Sequence, residues 1–77
     1  MEYTEITKSE LAFYIRSIKK AMGWRWEDMG EKTGIAGRML ADYASLRHFP
    51  RDPEKVVMSI RQAVREEMKQ RRAKQAI

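Results

Sequence analysis

Arg38 and Asp42 stand four positions apart in the stretch Gly37-Arg38-Met39-Leu40-Ala41-Asp42-Tyr43-Ala44-Ser45. On a helix that spacing puts both side chains on one face. A guanidinium offers two parallel donors that match the acceptors of a guanine edge, and a carboxylate accepts from a cytosine amine. Gly37 and Ala41 bring no hydrogen bonds; they allow close backbone approach, with a methyl against thymine. Gly37, Arg38, Ala41, Asp42 and Ser45 are therefore the candidates for reading base edges. The same spacing also lets Arg38 and Asp42 simply pair with each other.

A second set of residues has the chemistry to hold phosphates. Arg25 and Trp26 precede this stretch, and an indole N–H at such a position can donate to a phosphate oxygen. Ordinary core packing is the competing use of Trp26. Arg47, His48 and Arg51 follow in the loop Arg47-His48-Phe49-Pro50-Arg51. Further on, Arg61, Arg65, Lys69 and Arg72 recur every three or four residues as a basic stripe, suited to a polyanion. Glu27 and Asp28 suit the positive end of a helix, and they weigh against tight phosphate binding there.

These side chains need helices to position them. Thr7 and Glu10 have the spacing of a capping box, and Ile6 with Leu11 that of a hydrophobic staple. Leu11, Ile15, Ile18 and Met22 then form one apolar face, which Gly23 ends. Phe13 points off that face and is expected to cover a later helix or to mark a contact with another chain. Trp24 is expected to plug the core. From Trp26 to Tyr43 the sequence describes two short helices joined at Thr33-Gly34-Ile35. Gly30 leaves no side chain where a second helix would cross, and Gly34 suits a left-handed exit. Met29, Ile35, Leu40 and Tyr43 can share one core. Such a helix-turn-helix, spanning residues 26–45 with its second helix from Ala36 to about Ser45, can lay that helix in a DNA major groove. Phe49 is expected to close the core. Asp52, Pro53 and Glu54 open a last helix from about residue 53. Its apolar stripe is expected at Val57, Ile60, Val64 and Met68. Its end is expected to fray, to pack on another subunit through Met68, or to follow a phosphate backbone, and residues 1–6 are expected to be flexible.

Composition bounds the rest. The 77 residues suffice for one domain and not for two cores. Sixteen Lys and Arg against eleven Asp and Glu give a net charge of +5. Residues 51–77 carry eight of those cations against four carboxylates, so the surplus lies late in the chain. There is no cysteine and one histidine. No disulfide, thiolate metal site, nucleophile–base pair or glycine-rich phosphate loop can be assembled. No catalytic residue, metal, cofactor or small-molecule substrate is expected. No apolar run approaches the roughly 20 residues of a membrane span, so a cytoplasmic, nucleoid-associated protein is expected.

The run Ile15-Arg16-Ser17 through His48-Phe49-Pro50 resembles the helix-turn-helix of phage Cro and repressor proteins and their bacterial Xre-like relatives. The likeness spans about Leu11 to Ile60. Ile15, Ile18, Gly23, Gly34, Ile35, Leu40, Tyr43 and Pro50 fit its pattern. Trp24 stands for a leucine, Met29 for an aliphatic residue and Gly30 for an alanine. Trp26 replaces a DNA-bonding glutamine, Ala36 a capping Ser or Thr, Gly37 a polar reading residue, and Leu46 a glycine. The resemblance implies an all-α, four- to five-helix lambda-repressor-like bundle ending in a long basic helix. It implies a dimeric, sequence-specific double-stranded-DNA-binding transcriptional regulator of phage or bacterial origin. The sparse reading set leaves an alternative, a scaffold that binds protein as an antirepressor or adaptor.

Overall fold

Four helices account for most of residues 6–75, the part of the chain that the computed structural model describes: α1 (Lys8–Met22), α2 (Trp26–Thr33), α3 (Gly37–Ala44) and α4 (Pro53–Gln75). There is no strand among the described residues. The flexible start expected for residues 1–6 lies outside the described residues except at Ile6, which packs against the core instead.

Three of the four helices begin on a capping side chain. At α1 the Glu10 amide donates to the Thr7 hydroxyl and the Thr7 amide to the Glu10 carboxylate, at 3.1 and 2.9 Å. The expected capping box is present. At α4 the Lys55 amide donates to the Asp52 carboxylate at 3.2 Å, with Pro53 as the first helical residue. At α2 the Asp28 carboxylate accepts the Arg25 amide at 2.9 Å. α3 starts one residue later than expected, with Ala36 as its cap and no side chain to satisfy its first amides.

Three helices close through a left-handed residue. Gly23 (φ 72°) follows α1 and Gly34 (φ 80°) follows α2. Past α3 the residue is Leu46, at φ 66°. The Arg47 amide donates to the Asp42 carbonyl and the Leu46 amide to that of Tyr43, the paired bonds of a Schellman ending. Glycine is the usual occupant, because a side chain there costs roughly 1–2 kcal/mol. Leu46 takes this left-handed conformation without glycine's freedom.

All four helices share one core of Leu11, Ile15, Trp24, Met29, Leu40, Tyr43, Ala44, Val56, Ile60 and Ala63. Leu11, Ile15, Met29, Leu40 and Ile60 are fully enclosed, so cutting any one of them to alanine should cost about 2–5 kcal/mol. Trp24 plugs the core as expected. The buried line of α4 differs from the expected one. It runs Val56–Ile60–Ala63, with Val57 and Val64 half-buried at its edge and Met68 exposed. Adjacent apolar residues at 56 and 57 make two registers equally good by periodicity, and the small Ala63 is buried in the line taken. Phe13 and Phe49 are also corrected: both are exposed and neither joins the core.

Helix α4 continues to Gln75 without a break, so no fraying is seen within the described residues. Its second half is anchored. Glu67, whose side chain is only 16% exposed, bonds Lys32 of α2 at 3.1 Å and Arg71 at 2.8 Å. Arg71 in turn donates to the Met22 carbonyl at the end of α1. Arg71 first and Lys32 second hold the Glu67 carboxyl below its usual range.

Candidate functional site

The α2–α3 pair is set by glycines. A Cβ on Gly30 would stand 2.9 Å from the Gly37 amide nitrogen, and one on Gly37 would stand 2.6 Å from the Trp26 carbonyl oxygen. Backbone lies against backbone at both points, so neither glycine can carry a side chain without the helices moving apart. The crossing anticipated at Gly30 is therefore made with Gly37. This corrects the outward position expected of Gly37: it packs against Trp26 and is half-buried.

Gly37, Ala41 and Ala44 lie at helical spacing along one side of α3. At one end of that side is Trp26. At the other, Arg16 of α1 donates to the Ala44 carbonyl at 2.9 Å, closing the negative end of α3 with a cation. On the opposite side Met39 and Tyr43 meet the exit loop, bordering a hollow of about 360 Å³ with Asp42, His48, Phe49, Pro50 and Arg51. Between these walls runs the exposed strip of α3.

Along the strip the residues differ in what they have left to offer. Arg38 is exposed and makes no ion pair or hydrogen bond among the described residues. The Arg38–Asp42 pairing that the spacing allows is not formed. Asp42 instead has His48 Nε2 at 3.9 Å, and its side chain is 25% exposed. The Ser45 hydroxyl donates to the Asp42 carbonyl at 3.2 Å and keeps only its acceptor capacity. Ala41 is half-buried at the edge of the strip.

The expected phosphate set divides three ways. Arg47, His48 and Arg51 are exposed in the loop after α3, beside the strip. Arg25 is occupied: its guanidinium bonds Asp28 at 3.3 Å and lies 3.6 Å from Glu27. That bond to Asp28 raises the Arg25 pKa above its ordinary value, and the Arg25 amide followed by the guanidinium depresses that of Asp28. Trp26 is half-buried, packed on the core with Lys19 Nζ 4.9 Å over its ring, so the packing expected of it is made in part. Arg61, Arg65, Lys69 and Arg72 are all exposed. Helical spacing puts them opposite the line Val56–Ile60–Ala63–Glu67, so they do not border the α3 strip.

Two contacts were not foreseen from the sequence, the Arg16 clamp on α3 and the Lys32–Glu67–Arg71 chain. Both join residues distant in sequence, and periodicity carries no signal for such pairs. Among the described residues no group of three or more His, Cys, Asp or Glu could hold a metal ion. No helix there is long and apolar enough to cross a membrane. No protein-family model, curated protein or solved structure matches the chain.

Proposed function

We propose that this chain is a sequence-specific double-stranded-DNA-binding regulator that uses α2 and α3 as a helix-turn-helix. The observation that carries this reading is an unpaired Arg38 on the exposed strip of a short helix. The Gly30–Gly37 contact holds that helix hard against its neighbour. A helix presented this way can enter a major groove with its first turn toward the bases. Arg38 then reads guanine, and Asp42 with Ser45 supplies the remaining polar contacts. Arg47, His48 and Arg51 hold the backbone at one side, and the basic outer side of α4 adds sequence-independent attraction. The Cro- and Xre-like resemblance supports the same reading. It adds the expectation of a homodimer on a two-fold site with half-sites about one helical turn apart, acting in the bacterial cytoplasm on host or phage promoters.

A mobility-shift assay on random duplex at several salt concentrations tests this. Binding that weakens steeply with salt is expected, and no binding near ~50 mM salt would remove the proposal. One observation favours a second reading, a protein-interaction module. Met39 and Phe49 are exposed large apolar residues that line one hollow with Asp42 and Pro50, and such a patch suits a protein partner. Under that reading Met39→Ala with Phe49→Ala abolishes partner binding, and Arg38→Ala has no effect on any DNA affinity.

A further inference from the structure

We infer that the basic edge of α1, Lys19 and Lys20 beside Trp26, is a second phosphate-backbone site flanking α3. The inference rests on the DNA reading above and adds to it residues that type and spacing alone do not single out. An open cleft of about 500 Å³ lies there, lined by Arg16, Lys19, Lys20, Gly23, Trp24 and Trp26. Three of the six are cations and none is a carboxylate. An anion approaching this cleft meets no opposing charge in its lining.

Position argues for the same use. The Trp26 backbone touches Gly37 at the start of α3, and Arg16 holds the carbonyl at its end. The α1 edge therefore runs alongside α3, on the side opposite Met39 and the exit loop. A duplex seated on Arg38 would have one backbone beside Arg47 and Arg51 and the other beside Lys19 and Lys20. Charge availability points the same way. Arg25, the nearest cation in sequence to Trp26, is committed to Asp28 and Glu27. Lys20 is exposed and has no ion pair or hydrogen bond among the described residues. Lys19 lies over the Trp26 ring, which holds its ammonium at the mouth of the cleft without neutralising it. The indole ring adds one N–H donor and an apolar surface against the sugar.

A purely structural role for these lysines is also physical: cations in the last turn of α1 complement the negative helix end. The two roles differ in salt dependence. On one fixed duplex, the slope of log affinity against log salt should fall in magnitude by about 0.9 for Lys19→Gln or Lys20→Gln, and by about 1.8 for both. Lys19→Arg, which keeps the charge, should restore the native slope. Circular dichroism melts of the free variants report any folding loss separately. A double variant that stays folded and keeps the native slope would overturn the site while leaving the DNA reading intact. A native chain with no salt-dependent binding would overturn both.

Discussion

The side of α3 that faces α1 and α2 and the side that faces solvent are built on opposite terms. Inward, Leu40 is fully enclosed, Tyr43 and Ala44 are buried, and Gly37 has no space for even a methyl group. Outward, Arg38 has no partner among the described residues, and Asp42 and Ser45 are held by short-range contacts with their own helix and the loop after it. The inner side fixes where the helix sits; the outer side is left open to a ligand. On the proposed DNA-binding reading, stability and recognition rest on different residues only a turn apart, and substitutions should separate them.

The strongest test of that separation is on the inner side. Gly37→Ala forces a methyl onto the Trp26 carbonyl and should destabilise the fold by about 2 kcal/mol, despite alanine's better helix propensity. Urea unfolding measures it; an unchanged midpoint would mean the helices have slack that the geometry denies. Gly30→Ala should have the same sign and a smaller size, since its contact is longer. On the outer side, Arg38→Ala should cost about 1–3 kcal/mol of discrimination between cognate and altered duplexes. Its unfolding free energy should stay within about 0.5 kcal/mol of native. Equal losses in stability and binding would break the comparison.

Two smaller effects refine it. Leu46→Gly relieves a left-handed leucine, a gain of roughly 1–2 kcal/mol, of which the freer unfolded chain takes back about 0.5–1. A net rise in the thermal midpoint is expected; a fall would show that the leucine side chain contributes more than its strained backbone costs. The last effect is on pH. The folded state lowers the proton affinity of Glu67 and Asp28, so their contribution is complete above the ordinary carboxylate values of 4.5 and 3.8. It is lost as pH falls below them. Glu67→Gln should flatten part of that acid limb, seen in melts between about pH 5 and 3. It should leave duplex discrimination unchanged.

Much of the scaffold was legible because its signals are local. Thr7 with Glu10, Asp52 with Pro53, and the glycines at 23 and 34 act within one turn of themselves, so residue type and spacing suffice. Gly30 was legible as a crossing point, but its counterpart was not. Gly37 falls on the outward arc when counted from Leu40 and Tyr43, and only the approach of the Trp26 carbonyl reveals its packing role. The register of α4 was ambiguous because Val56 and Val57 are equally apolar. Phe49 was assigned to the core and Phe13, off the apolar face of α1, to the cover of a later helix or a contact with another chain; hydrophobicity alone places such aromatics poorly in so small a domain. For the candidate site, charge could be counted in sequence but not its availability. Arg25 and Arg71 look as free as Arg38 and Arg72 until Asp28, Glu67 and the Met22 carbonyl are brought to them.

The central claim is that the outer side of α3 reads duplex DNA, and selection of bound duplexes from a random pool tests it most directly. Sizing of the selected complex should accompany the selection. The expected result is an enriched, two-fold-related site containing guanines whose enrichment disappears with Arg38→Ala, bound by two copies of the chain. A pool that emerges unenriched, or an enriched site indifferent to Arg38, would contradict it.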